Sequence, residues 1–283
     1  MNEKLLVELR ASLEFMSNTE RKIASLILAD PLSFTSMSLG ELERRAEVSQ
    51  GSVINFSNKY GEGGFPALKL AVAASLPSES RKPLSSVTSE DSALLTLKKT
   101  AEGLSEALLN TVKINSESAL SEFAERILTA RKIDIYGIYR SALVAQDLNL
   151  RLLELGVRSC VVGDVLTCAL SASMLDEGDL VIAISASGKT QDILDAVKIA
   201  KERGAHTVAI TGYTNSPLSR VADSTLIAAA SGASEVSEYT EIRVAQLAII
   251  DSVASYLQCR IDNDGNKRYY KAKEILELHS ERD

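Results

Sequence analysis

Four small residues in one short stretch, Ser185, Ser187, Gly188 and Thr190, have the types and spacing to hold an anion. The stretch Ser185-Ala186-Ser187-Gly188-Lys189-Thr190 follows the apolar run Val181-Ile182-Ala183-Ile184, which reads as a strand buried on both faces. Beyond it, Ile193, Val197 and Ala200 recur on one helical face, with Leu194 beside them. Strand, small polar loop and helix N-terminus together suit phosphate. The first N–H groups of a helix lack partners inside it, and the macrodipole places partial positive charge there. Ser185, Ser187 and Thr190 would add hydroxyl donors, and Gly188 would allow a close backbone approach. The same residues also suit an ordinary βα turn in which Thr190 only caps its helix.

The elements around this loop set its context. From Ser118 onward the rhythm is helix, strand, helix, strand. Strands are expected at Ile133–Gly137, Cys160–Val162, Leu180–Ser185, Thr207–Thr211 and from Thr225, with helices over Leu120–Ala130 and Ser141–Leu155. This alternation predicts a five-stranded parallel sheet with helices on both faces. The first βα turn, Gly137-Ile138-Tyr139-Arg140-Ser141, lacks the glycines of a dinucleotide-binding loop.

Residues of about 118–258 resemble the sugar isomerase (SIS) domain, a flavodoxin-like α/β domain that binds phosphosugars. Ser185-x-Ser187-Gly188-x-Thr190 carries the resemblance, together with Gly137 to Ser141, Ser216-Pro217-Leu218, Ala222-Asp223 and Arg243-x-Ala245-Gln246-Leu247-Ala248-x-Ile250-Asp251. It implies that Ser185, Ser187, Gly188 and Thr190 hold the phosphate and that Ser141 binds sugar hydroxyls. Tyr139 and Arg140 stand where the family often has small residues, so Arg140 is a candidate ligand contact, with solvent exposure as its alternative. Glu235, Glu238 and Glu241 lie in a segment that contributes to SIS pockets, and Glu241 is the candidate among them.

Residues 1–76 read as packed short helices. Ser17-Asn18-Thr19-Glu20 and Ser38-Leu39-Gly40-Glu41 have the form of capping boxes, and Ser49 is a good N-cap for a helix from Gln50 to about Tyr60. Two short helices joined by a tight turn form a helix-turn-helix pattern. Nearly the whole segment resembles the N-terminal domain of the RpiR family of bacterial transcription regulators. That likeness rests on Thr19-Glu20-Arg21-Lys22-Ile23-Ala24, Ser38-x-x-Glu41-Leu42, Val48-Ser49-x-x-Ser52-Val53-x-x-Phe56 and Lys59-x-Gly61-x-x-Gly64-Phe65. It makes the helix from Gln50 the DNA-reading one, with Ser49, Gln50, Ser52 and Asn55 as base-side candidates and Arg44, Arg45 and Lys59 as phosphate contacts. In two places the chain departs from the pattern. Asn55 stands where a basic residue is usual, and Glu47 occupies a turn position that prefers glycine. Eight Lys/Arg against nine Asp/Glu leave residues 1–76 at −1, so weak nonspecific DNA binding is expected.

The domain plan that follows is a helix-turn-helix domain at 1–76, a Pro- and Ser-containing linker at 77–92, a connecting helix at 93–117 and the α/β domain with a C-terminal helix at 118–283. Leu94, Leu97, Ala101, Leu104, Leu108 and Val112 give the connecting helix its apolar stripe.

The whole chain, 283 residues with 45% hydrophobic and 24% charged, carries a net charge of −7, which gives no general attraction to nucleic acid. No apolar run approaches the ~18 residues of a membrane span, and the first ten residues lack a signal-peptide layout. Cys160, Cys168 and Cys259 show no CxxC spacing, which points to free thiols in a reducing cytoplasm. His206 and His279 are the only histidines, so no histidine-rich metal site is expected, and no cofactor.

The expected function is a sugar-phosphate-responsive regulator that acts as a homodimer or homotetramer on palindromic operator DNA. A sugar-phosphate isomerase or lyase built on the same pocket is the alternative, with a protein-interaction module as a third reading.

Overall fold

The computed structural model describes residues 4–61, 63–76, 86–232, 235–263 and 267–280. Most of the expected linker, residues 77–85, lies outside them.

The N-terminal helices are α1 (Leu5–Ser12), followed by a 3-10 turn at Leu13–Phe15, then α2 (Asn18–Ala29), α3 (Pro31–Ser36), α4 (Leu39–Ala46), α5 (Gln50–Gly61) and α6 (Gly64–Ala74). Polar residues set several of their starts. Ser17 and Glu20 close a reciprocal capping box on α2, and Asp30 caps α3 with Pro31 in its first turn. At α4 the cap runs one way, with Ser38 Oγ accepting from the Glu41 N–H at 3.2 Å. Leu9, Ile23, Ile27, Phe34, Leu42, Val53, Phe56 and Leu68 meet in one core.

Between α4 and α5, Glu47 adopts φ +52° and ψ +52°, the left-handed conformation anticipated for this turn. An L side chain is strained there and glycine is not. Glu47→Gly is therefore expected to raise stability by up to about 1 kcal/mol, read as a higher urea midpoint at unchanged slope. A lower midpoint would mean that the exposed Lys22–Glu47 pair (3.4 Å) matters more than the backbone.

The second part comprises α7 (Ala93–Ile114), α8 (Glu117–Thr129), β1 (Ile133–Tyr136), α9 (Arg140–Glu154), β2 (Ser159–Val162), α10 (Val165–Ser173), β3 (Leu180–Ile184), α11 (Gln191–Glu202), β4 (His206–Thr211), α12 (Pro217–Val221), β5 (Ser224–Ile227), α13 (Glu235–Asn263) and α14 (Lys267–Ser280). All strand pairings are parallel, in the order β2-β1-β3-β4-β5. Residues of α8, α9 and α13 cover one face, meeting Ile135, Ile182 and Ile210. Those of α10, α11 and α12 cover the other, meeting Val181, Ala183 and Ala209. Helix α10 is an addition to the sequence reading. Asp164 caps it, accepting from the Thr167 N–H at 3.1 Å.

The chain just beyond β5 would expose an unpaired edge, and side chains from other helices complete it. Asn115, the C-cap of α7, accepts from the Ile227 N–H at 2.8 Å and donates to Ile227 O at 2.7 Å. Thr111 Oγ1 accepts from the Ala229 N–H, Asn110 donates to Ala230 O, and Glu241 of α13 accepts from the Ser231 N–H at 2.7 Å. These backbone bonds account for the buried Asn110, Thr111 and Glu241.

Helix α1 belongs to both parts. Leu5 and Leu9 enter the N-terminal core, while Val7 and Ala11 pack against Ile227 and Ala229.

Candidate functional site

The chain leaves β1 toward β2 on one side and returns through β3 on the other. The crevice between β1 and β3 is thus the topological switch point, where the loops above adjacent strand ends diverge. Two helix N-termini open onto it, α9 after β1 and α11 after β3.

In the β3–α11 loop, Ser185 Oγ accepts from the Gly188 N–H at 3.1 Å and stands 3.3 Å from Thr190 Oγ1. Ser187 Oγ accepts from the Lys189 N–H at 3.2 Å. Accepting these bonds leaves the hydroxyl protons of both serines available for donation. Thr190 sits at the N-cap position of α11, yet its side chain makes no capping bond. The capping alternative is therefore absent from the geometry, and the first N–H groups of α11 keep their donors for a ligand.

Gly188 has φ +63°, and a Cβ there would lie 2.5 Å from Ser216 Cβ and 2.9 Å from Thr211 Oγ1. Leu218 N–H donates to Gly188 O at 3.0 Å, so the β4–α12 loop clamps this position. Only glycine fits.

Across the crevice, Ser141 lies in the first turn of α9 and is partly buried. Gly137 lets the two segments close, because a Cβ on it would lie 2.7 Å from Ser141 O. Tyr139 has φ +55° and is 88% exposed, and Arg140 beside it is exposed at the rim. Glu241 does not join this group. Its carboxylate is spent on the Ser231 N–H and on Ser237 Oγ at 2.8 Å, beside Arg10 and against Gly103. The sheet edge needs that acceptor, so the expectation of a ligand contact is corrected to a structural one.

A cleft of about 460 Å³ lies at the opposite ends of the strands, lined among others by Arg126, Asp179, Lys201, His206 and Asp223. Several of its charges have partners, Asp179 with Arg131 at 3.0 Å, Lys201 with Asp223 at 2.7 Å and Arg126 with Glu122 at 3.5 Å. His206 begins β4 there, and burial lowers its pKa, which favours the neutral ring. The side chain of His279 lies outside the described residues. Among the described residues no cluster of His, Cys, Asp and Glu could hold a metal, and no helix is long and apolar enough to cross a membrane.

In the N-terminal part, α5 buries Val53 and Phe56 and exposes Gln50, Gly51, Ile54, Asn55 and Asn58. Gln50 and Asn55 thus lie on the open face. Ser49 and Ser52 instead bond each other, Oγ to Oγ at 2.9 Å, and Ser49 Oγ accepts from the Ser52 N–H. They serve the helix start. Lys59 is held by Glu20 at 2.7 Å, which raises the pKa of Lys59 and lowers that of Glu20. Arg45 lies 3.7 Å from Glu41, whereas Arg44 is exposed without an ion pair to any described residue. Of the three expected phosphate contacts, Arg44 is the one left open. Ile54, 43% exposed, and Asn58 are additions to the open face of α5. Their signal was the helical spacing from Asn55 and Gly51.

Comparison with known proteins fits both halves. Residues 3–79 match the model of the helix-turn-helix domain of the rpiR family, and residues 126–256 match the SIS domain. An HTH-type transcriptional regulator of Caldanaerobacter subterraneus, itself uncharacterised, is 32% identical over 97% of this chain and 97% of its own. The chain belongs to the RpiR family.

This RpiR-family regulator is also 27% identical to the HTH-type transcriptional regulator HexR of Pseudomonas aeruginosa, over 97% of this chain and 96% of that one. Its fold is that of the Vibrio vulnificus NanR protein, solved in complex with ManNAc-6P. The two share a TM-score of 0.57 and 24% identity, with 97% of each chain covered. It is therefore a regulator with a helix-turn-helix domain and a SIS domain. Sequence reasoning passed over Lys189, because a lysine in a loop of hydroxyls is ordinarily a solvated charge. It also passed over the grip of Ser216 on Gly188, which only the folded loops create.

Proposed function

We propose that this regulator senses a phosphorylated sugar at the β1–β3 crevice and converts its occupancy into a change of operator affinity. The supporting observation is the uncapped start of α11, with the hydroxyls of Ser185, Ser187 and Thr190 gathered around it and Gly188 locked in place. Phosphate sits there, held by charge-assisted bonds worth about 1.5–3 kcal/mol each. Ser141 meets the sugar hydroxyls, and Arg140 stands at the rim. The SIS-fold relative NanR carries such a ligand, ManNAc-6P.

The regulator acts as a pair or higher oligomer on a palindromic operator. In favour of pairing, α10 leaves Val165, Leu166, Leu170 and Met174 exposed, and α9 leaves Leu143, Leu150 and Leu153. A second copy covers such faces, since burying one leucine contributes about 1.5–3 kcal/mol. Half-sites one helical turn apart, about 34 Å, then fix the spacing of the two α5 helices.

An isomerase reading needs a base free to reach a carbon-bound proton. Glu241 is committed to the sheet edge and Glu238 faces Tyr213, while the side chain of Glu235 lies outside the described residues. A non-enzymatic sensor fits these commitments better.

Ser187→Ala is expected to weaken sugar-phosphate binding about tenfold or more with the fold intact, since it removes one charge-assisted donor. Titration calorimetry across a panel of sugar phosphates reads this directly, with the unphosphorylated sugars as controls. Unchanged affinity in Ser187→Ala, or equal binding of sugars without phosphate, would place the ligand elsewhere.

A further inference from the structure

Lys189 is the only charged residue in the stretch Ser185–Thr190, and its side chain is engaged with the other domain. Its ammonium lies 2.5 Å from Glu14 Oε1 and 5.0 Å from the centre of the Phe15 ring. Glu14 and Phe15 belong to the 3-10 turn Leu13–Phe15, which ends the first helix of the DNA-binding part. A side chain of the candidate phosphate loop thus holds that turn.

The neighbouring contacts localise the joint. Phe15 packs edge-on against Tyr213 at 5.7 Å, Ala11 O accepts from the Thr214 N–H at 3.2 Å, and Ser12 Oγ meets Thr214 Oγ1 at 2.8 Å. Tyr213 and Thr214 lie in the β4–α12 loop, whose Ser216 closes on Gly188. The two loops around the anion site are therefore the ones that seat residues 11–15.

The ion pair itself is suited to exchange. Lys189 and Glu14 keep 47% and 36% of their side-chain surface exposed, so the pair contributes little to stability and separates at small cost. Lys189 is two residues from Ser187 and adjacent to Thr190, within one lysine side chain's reach of an anion bound there. A phosphate dianion offers more charge and more acceptor oxygens than one carboxylate.

Resting on the phosphate-site reading above, we propose that Lys189 is a further effector-binding residue, one that exchanges Glu14 for the bound phosphate. With the loop empty it holds the 3-10 turn to the SIS domain. With the loop filled it turns to the ligand, and Glu14 loses its cation. Glu14 and phosphate then compete for one ammonium, so effector binding and the docking of α1 are coupled, reciprocally, through one side chain.

The test uses the full chain and inorganic phosphate as the probe, at ionic strength held constant with chloride. By calorimetry Glu14→Gln, which frees the ammonium, is expected to tighten phosphate binding about threefold or more. Lys189→Met is expected to weaken it about fivefold or more, with Lys189→Arg close to wild type. Adding Glu14→Gln to Lys189→Met should change nothing further, since the two act on one interaction. Amide exchange of residues 13–16 should quicken severalfold on phosphate saturation in wild type and stay unchanged in Lys189→Met.

Ser187→Ala separates the two levels. If it abolishes phosphate binding while Glu14→Gln binds like wild type, the exchange is overturned and the phosphate site stands. If phosphate binding ignores Ser187→Ala, the site reading falls, and the exchange with it.

Discussion

Replacing Gly188 by alanine is expected to cost about 2–5 kcal/mol of stability and to abolish effector binding. Two physical costs add. An L residue forced to φ +63° costs roughly 1–2 kcal/mol. The added methyl then overlaps Ser216 and Thr211, and overpacking of this kind typically costs about 1–3 kcal/mol. Either relief, a moved β4–α12 loop or a flattened Ser185–Thr190 loop, pulls the hydroxyls away from the start of α11. Urea denaturation gives the stability change, and calorimetry well below the unfolding midpoint gives binding. Wild-type stability with wild-type affinity would mean that the loop is not clamped as described.

The second large effect falls on α5. Asn55→Ala is expected to lower specific operator binding by about 1–3 kcal/mol while leaving nonspecific binding nearly unchanged. Asn55 lies on the open face of α5 beside Gln50 and Ile54 and carries an amide that can bond an adenine edge. Few cations assist it. Lys59 and Arg45 are paired with acids of their own domain, which leaves Arg44 as the open arginine. Affinity then depends more on base contacts and on two half-sites engaging together than on charge. Anisotropy titrations against operator and scrambled duplexes measure both terms, and an equal loss on both would remove Asn55 from base reading.

The parts of the chain that were legible in the sequence are those whose physics is local. The run from Val181 to Ile184, the caps at Ser17 and Ser49 and the left-handed turn at Glu47 each follow from a few neighbouring residues, and each has its expected form. What the sequence hid depends on distant partners. Glu241 reads as a pocket carboxylate until β5 needs an acceptor for the Ser231 N–H. Lys59 reads as an unpaired cation until α2 brings Glu20 within 2.7 Å. Helix α10 stayed unread because Val165 to Ser173 mixes small and apolar residues without a clear stripe, leaving Leu166, Leu170 and Met174 outward. Lys189 escaped because its partner, Glu14, is 175 positions away.

The most direct measurement for the whole account is operator affinity of the full chain by fluorescence anisotropy, with and without a panel of sugar phosphates. One phosphorylated sugar should shift affinity by about 5–150-fold, the range of a 1–3 kcal/mol coupling. That shift should vanish in Ser187→Ala and in Gly188→Ala, while Ser187→Ala without ligand binds operator like wild type. Operator affinity that no sugar phosphate alters, or that the unphosphorylated sugar alters equally, would contradict a phosphosugar sensor at the β1–β3 crevice.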